Sequence, residues 1–182
     1  MAGTSSPAAR PGVVQVHDSA AFGTGLHPTT ALCLELLDEM LDAEPVESVL
    51  DVGSGSGVLA LAALEAGVPL AVGLDIDEGA LAAAAGNARL NGHEARLRLV
   101  PGGPDAVDAS FPLVLANVLA APLIEMAPSL VRRLARRGRL LLSGIPDAVT
   151  PDVERAYRRF GLHERERRSR GGWTALVFAA AW

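Results

Sequence analysis

One aspartate and three glycines form the most informative short motif of this sequence. The residues Asp51-Val-Gly53-Ser-Gly55-Ser-Gly57 follow a short apolar run and precede a longer one. Glycines let the backbone turn with positive φ and let a ligand approach it closely, and the first N–H groups of a following helix have no partner within the helix. The motif therefore predicts a ligand-binding turn between a buried strand and a helix.

A second acidic residue indicates the kind of ligand. Asp75 ends the next apolar run, about 20 residues after the turn, where a carboxylate can accept hydrogen bonds from both hydroxyls of a ribose. Val58 stands where a dinucleotide-binding GxGxxG motif has its third glycine, and the Asp51 carboxylate would repel a pyrophosphate. A cationic sulfonium amino acid with a free ammonium group fits better beside Asp51. We expect Asp77 to cap the next helix.

A loop rich in glycine and hydroxyl groups precedes the first predicted helix. It reads AFGTGLHPTT over residues 21–30, and we interpret it as a lid. Pro28 with Thr29 or Thr30 could start and cap the helix, which accounts for the second half of this run but not for the first. Asn117 ends a later apolar run that we place beside the glycine turn. It is either a site residue or the cap of a strand-to-helix turn.

The composition excludes several kinds of chemistry. All 16 basic residues are arginine, which excludes a lysine Schiff base and a Walker phosphate loop. The single cysteine, Cys33, excludes an internal disulfide and a CxxC site and favours a reducing cytoplasm. The four histidines lack the spacing of metal ligands, so we expect no metal. A net charge of −5 argues against general nucleic-acid binding, and no run suits a membrane span or an export signal.

Alternating strands and helices must position these residues. The alternation predicts one α/β domain with a parallel sheet and helices on both faces. The predicted strands are residues 48–52, 70–74, 96–100, 113–117, 138–143 and 173–179. The predicted helices are residues 29–41, 57–65, 78–90, 122–136 and 151–160.

The two ends of the chain depart from this alternation. Residues 1–12 are rich in Pro, Gly, Ser and Ala, and we interpret them as a flexible tail before a domain at 13–182. After Gly161 the chain has no room for a crossover helix before its last apolar run. We therefore predict a hairpin with an antiparallel edge strand.

Arginines are concentrated in the last third of the sequence. Four of them are spaced at i, i+1, i+4 and i+5, which would put them on one helix face: Arg132, Arg133, Arg136 and Arg137. Those between residues 151 and 172 could contact an acidic partner or RNA phosphates, or pair with acids across strands.

Taken together, the motifs resemble those of the PrmA-type ribosomal-protein methyltransferases. These are class I, Rossmann-like enzymes that depend on S-adenosylmethionine (SAM). The run AFGTGLHPTT is similar to the family's AFGTGxHPTT signature, and the runs at 50–57 and 73–77 are similar to its glycine loop and acidic strand end. Further blocks match in order at 87–92, 116–123 and 142–145.

The resemblance implies a seven-stranded, mostly parallel sheet with one antiparallel edge strand, and SAM as cofactor. We hypothesise that the Asn117 carbonyl orients the acceptor or the donor, which makes Asn117 the candidate catalytic residue. The positions that match family contacts with SAM are Thr30, Gly53, Asp75 and Asn117, with Phe22, Gly23, Thr24 and His27 beside them in the lid. The glycine turn adds Asp51, Gly55 and Gly57 to the candidate cofactor-binding residues.

The acceptor implied by the resemblance is a protein amino group, either a lysine side chain or an N-terminal amine, with a ribosomal protein as the candidate partner. The family carries a separate N-terminal recruitment domain, whereas only about 20 residues precede the lid here. A small-molecule N- or O-methyltransferase and a non-catalytic SAM-binding partner subunit are therefore alternatives. Nucleic-acid bases are disfavoured, because the run from Asn117 to Ala120 lacks the prolines and the stacking aromatic of a [DNS]PP[YFW] motif.

Overall fold

The computed structural model describes residues 13–16 and 27–182 of the chain. The helices in this part are α1 (Pro28–Ala43), α2 (Val58–Glu65), α3 (Glu78–Leu90), α4 (Ala120–Arg132) and α5 (Thr150–Arg158). The strands are β1 (Ser48–Val52), β2 (Leu70–Asp75), β3 (Leu97–Pro101), β4 (Phe111–Asn117), β5 (Leu134–Pro146), β6 (Leu162–Arg170) and β7 (Trp173–Ala180). Two short 3-10 helices lie at Pro104–Ala106 and Asp147–Val149.

The strands form one sheet in the order β3-β2-β1-β4-β5-β7-β6. Strands β1 to β5 pair in parallel, and β7 runs antiparallel to both of its neighbours, β5 and the outermost strand β6. The predicted fold class, with an antiparallel strand at this end of the sheet, is confirmed. The predicted hairpin is confirmed as well, as β6 and β7. The strand order reverses between β1 and β4, which is where ligands bind in open α/β sheets.

Both faces of the sheet are covered by helices, so the central strands are apolar on both sides. Val49 of β1 packs into a core with α1 and α2, while its neighbour Leu50 packs into a core with α4 and α5. The second core contains Tyr157, whose hydroxyl donates to the Leu123 carbonyl at 2.7 Å and whose ring stacks on Phe178. This two-sided burial holds the ends of β1, β2 and β4 in fixed positions.

The helix predicted at 122–136 is shorter at its C-terminal end. Helix α4 ends at Arg132, because the Phe111 N–H donates to the Arg133 carbonyl at 2.7 Å and the chain joins the sheet there. Arg133 is buried and its guanidinium donates to the Val107 carbonyl, while Arg137 adopts a positive φ of 58°. The prediction that Arg132, Arg133, Arg136 and Arg137 share one helix face is therefore wrong.

The arginines of β6 form ion pairs within the molecule. Arg167 contacts Glu154 of α5 at 2.7 Å, Arg168 contacts Glu39 of α1, and Arg170 contacts Glu35 of α1 at 2.8 Å. These pairs connect the edge strand to the helices on both faces of the sheet. They favour pairing with acids of this chain over contacts with RNA or an acidic partner. Charged residues on an edge strand also hinder pairing with a second sheet.

Candidate functional site

A cavity of about 640 Å³ opens at the carboxyl ends of β1, β2 and β4, where the strand order reverses. Its wall contains most of the predicted site residues, which come from four separate segments of the chain. They are His27, Thr30, Asp51, Gly53, Gly55, Asp75 and Asn117. The remaining predicted lid residues, Phe22, Gly23 and Thr24, lie outside the described residues.

The glycine turn runs along the floor of the cavity. The N–H groups of Gly53 and Ser54 both donate to the Leu74 carbonyl, at 2.8 and 2.9 Å, and so join the turn to the end of β2. Gly53 has a φ of 71°, and a Cβ there would overlap the Val118 side chain. A glycine is therefore required by both the backbone and the packing.

Gly57 of the same turn lies away from the cavity wall. It is the N-cap of α2 with a φ of 79°, and a Cβ there would lie 3.1 Å from the Cβ of Ala84 in α3. It does not line the cavity. We assign Gly57 to the close packing of α2 against α3.

Asp75 is oriented by the backbone on both sides of it. Its Oδ2 accepts the Gly55 N–H at 2.9 Å, and its Oδ1 accepts the Asp77 N–H at 3.0 Å. Each carboxylate oxygen has a second lone pair, so the group can still accept one hydroxyl on each oxygen. Asp77 caps α3 as expected, because its Oδ1 accepts the Gly79 N–H at 2.8 Å.

Asp51 is a buried acid in the cavity wall, with 1% of its surface exposed. Burial raises the pKa of its carboxyl to about 6, and the charge of Asp75 adds to this effect. A hydrogen bond from the Ser54 hydroxyl to Oδ2, at 2.7 Å, opposes the shift. A cation placed in the cavity would favour the ionised carboxyl.

Asn117 is held by the first turn of α1. Its side-chain N–H donates to the Thr30 hydroxyl at 3.4 Å, and on the next strand the Ser143 hydroxyl donates to the Thr29 carbonyl at 3.2 Å. These contacts join the start of α1 to the ends of β4 and β5. With its nitrogen directed to Thr30, the amide presents its carbonyl oxygen as a hydrogen-bond acceptor at the cavity wall.

His27 and Trp173 lie together on another part of the wall. His27 caps α1, where its Nδ1 lies 2.8 Å from the Thr29 hydroxyl. Its ring meets that of Trp173 edge to face, with the centroids 5.2 Å apart. The sequence left open whether Trp173 packs or lines the site. In the structure it contacts His27 and also lines the cavity.

Several wall residues were not among the predicted site residues. Most of them directly follow strands or lie in the first two turns of α4, and Gly144 lies within β5; they are Ile76, Gly102, Gly103, Val118, Leu119, Pro122, Met126 and Gly144. Ile76 and Leu119 are 87% and 65% exposed, which is unusual for large apolar side chains. The available signal was position, because residues that follow parallel strands meet at one edge of the sheet.

No helix of the described residues has the length and apolar character needed to span a membrane. The same part of the chain contains no group of three or more histidine, cysteine or acidic side chains that could hold a metal ion.

Comparisons with known proteins agree on one family. The family profile described as ribosomal protein L11 methyltransferase (PrmA) matches residues 4–181. A ribosomal protein L11 methyltransferase from Pelobacter propionicus is 40% identical over 172 residues, which are 93% of this chain and 56% of that protein. One from Stenotrophomonas maltophilia is 48% identical over 141 residues, 76% of this chain and 45% of that protein. The chain thus spans about half the length of the curated relatives it matches.

A solved structure supports the same comparison. The ribosomal protein L11 methylase from Lactobacillus delbrueckii subsp. bulgaricus superposes with a TM-score of 0.83 and 32% sequence identity. The superposition covers 92% of this chain and 84% of that chain.

Proposed function

The chain belongs to the ribosomal protein L11 methyltransferase (PrmA) family, and from that premise we propose that it transfers a methyl group from SAM to an amino group of a protein. The observation that carries the proposal is the pair of acids on the cavity wall. Asp51 lies near the carboxyl end of β1 and Asp75 at the carboxyl end of the neighbouring strand β2, and the glycine turn lies between them in the sequence.

The residues of the cavity fit SAM. The Asp51 carboxyl is suited to the cationic amino-acid end of the donor, and the two oxygens of Asp75 can accept the two ribose hydroxyls. The exposed side chain of Ile76 adjoins Asp75 and offers an apolar surface to the base. A nucleotide pyrophosphate fits less well, because its charge would face Asp51.

When bound, SAM would supply a methyl group on a positively charged sulfur. A neutral amine would form the new N–C bond in line as the C–S bond breaks, the donor would leave as an uncharged sulfide, and the extra proton of the amine would pass to solvent. The residues of this chain then have to hold the amine and exclude water. The Asn117 carbonyl oxygen is placed to accept an amine N–H, and Thr30 fixes the amide in that orientation. The apolar residues Leu119, Met126 and Trp173 line the same cavity and limit the access of water.

The proposed acceptor is a lysine side chain or an N-terminal amine of ribosomal protein L11, the substrate named for the relatives. The proposed location is the cytoplasm, where ribosomal proteins are made. The free, buried thiol of Cys33 is consistent with a reducing compartment.

Transfer of labelled methyl groups tests this proposal. The protein is incubated with methyl-labelled SAM and either purified ribosomal protein L11 or a lysate of the source organism. The products are then separated into protein, RNA and small molecules. We expect label in L11 and in one protein band of the lysate, and none with Asp75→Ala. Label in small molecules alone would show a small-molecule enzyme instead. Donor binding without any transfer would show a partner subunit.

A further inference from the structure

The end of the cavity beside β3 contains two glycines with different roles. Gly102 has a φ of 121°, and a Cβ there would lie 3.0 Å from the Cβ of Ala106, so this position requires glycine. Gly103 has a φ of −95° and a ψ of −166°, which any residue can adopt. A Cβ on Gly103 would meet no atom within 4 Å. Neither the backbone nor the packing of the protein requires glycine at 103.

Gly103 nevertheless lines the cavity. The Gly102 N–H donates to the Asp75 carbonyl at 2.8 Å, which holds this loop beside the end of β2. A Cβ at 103 would meet open space, and because Gly103 lines the cavity we infer that this space belongs to this end of the cavity.

Acidic side chains nearby do not fill this space. Asp105 bonds to the Ser129 hydroxyl at 2.7 Å and to Arg132 at 2.9 Å on α4, and it is not part of the cavity wall. Asp77 is part of the wall, but its Oδ1 accepts the Gly79 N–H in capping α3.

The order of the strands places the base of the donor at this end. This step rests on the proposed function. Asp51 at β1 takes the amino-acid end and Asp75 at β2 takes the ribose, so the base extends toward β3. The exocyclic amine lies on the side of adenine away from the ribose bond, so in this arrangement we expect it to face the part of the wall that contains Gly103.

We propose that the open wall at Gly103 lets this protein bind SAM-type donors that carry a substituent on the exocyclic N6 amine of adenine. Gly103 is then a specificity-determining residue for the donor. A larger residue at 103 should weaken binding of the substituted ligand much more than binding of the natural one, because added side-chain atoms would occupy the space that the substituent needs.

Calorimetric titration with two product analogues tests this inference without any need for turnover. The probes are S-adenosylhomocysteine and its N6-benzyl derivative. We expect the wild-type protein to bind both with dissociation constants within about fivefold of each other. We expect Gly103→Leu and the smaller Gly103→Val to weaken binding of the benzyl derivative at least about tenfold more than they weaken binding of S-adenosylhomocysteine.

The matched control is Gly86→Leu. It adds the same side chain at a glycine of α3 that also has no atom within 4 Å of its Cβ but does not line the cavity. It should not change the ratio of the two dissociation constants. If wild type binds S-adenosylhomocysteine but rejects the benzyl derivative, or if both Gly103 variants still bind it, the inference is wrong and the proposed function stands. If wild type binds neither probe, the proposed function fails, and the inference with it.

Discussion

At the scale of single residues, Asp51 links donor binding to pH. Its pKa of about 6 means that the carboxyl goes from mostly protonated to mostly ionised between pH 5 and pH 7. Because a cationic ligand favours the ionised form, we expect donor affinity to rise by about tenfold over this range. Titration of S-adenosylhomocysteine at several pH values measures the effect. Asp51→Asn should flatten the profile, whereas the exposed Asp38→Asn should not. An unchanged profile in Asp51→Asn would contradict this assignment.

Ionisation of the same carboxyl has the opposite effect on the stability of the ligand-free protein, which falls as the pH rises. Its pKa is raised above the unfolded value of 3.8, so its stabilising contribution is complete below about pH 3.8 and is lost as pH rises through about 6. The loss is up to about 3 kcal/mol. Without ligand, Asp51→Asn should therefore gain stability relative to wild type between pH 4 and pH 7. Urea denaturation at both pH values measures this difference, and a difference that is the same at both would argue against a shifted pKa.

Asn117 is the residue whose loss should separate transfer from donor binding. We expect Asn117→Ala to lower kcat by about 100-fold, because the amine is no longer oriented, while the fold is kept. Thr30→Val, which removes the hydroxyl that accepts from Asn117, should lower kcat less. Steady-state kinetics with calorimetric donor affinity distinguishes the two effects. Unchanged turnover in Asn117→Ala would remove this residue from the mechanism.

At the scale of elements, Gly144 fixes how the end of β5 passes beside the segment after β4. Its φ is 83°, and a Cβ there would overlap the Val118 backbone carbonyl, next to Asn117. Gly67 has a φ of 97° but no atom within 4 Å of a Cβ, so Gly67→Ala measures the backbone cost alone. We expect about 1–2 kcal/mol for Gly67→Ala and about 1–3 kcal/mol more for Gly144→Ala, measured by urea denaturation. Equal losses of stability in the two variants would show that the segment after β4 moves freely away from β5.

At the scale of the whole molecule, donor binding should stabilise the fold, because the cavity wall is assembled from segments of all the central strands. At a ligand concentration of a hundred times Kd, the free energy of unfolding rises by about 2.7 kcal/mol, or about 5–10 °C in Tm. We expect this shift with S-adenosylhomocysteine in a thermal melt. Asp75→Ala should lose it, and Asp38→Ala should keep it. A shift that survives in Asp75→Ala would place the ligand elsewhere.

Local signals in the sequence were enough for most elements and for the core of the site. The strand predicted at 48–52 and the helix predicted at 78–90 have the bounds seen in the structure, because a buried strand and a capped helix are encoded in adjacent residues. The predicted residues Asp51, Gly53 and Asp75 line the cavity for the same reason. Each follows an apolar run in a parallel sheet, and its position at the cavity follows from that.

Contacts between distant segments were decided only by the tertiary structure. Asn117 meets Thr30, and the space at Gly103 faces the same cavity as Asp51, because strand pairing sets which strand ends are neighbours. Pairing also ends α4 at Arg132, where a helical pattern would continue, and it places β7 between β5 and β6. Gly57 and Gly103 are both glycines of strand-to-helix connections, yet one packs two helices together and the other opens the site. The sequence by itself thus determined the fold class and the acidic, glycine-lined floor of the site. The positions of the other residues of the cavity wall depended on hydrogen bonds and packing between residues far apart in the chain.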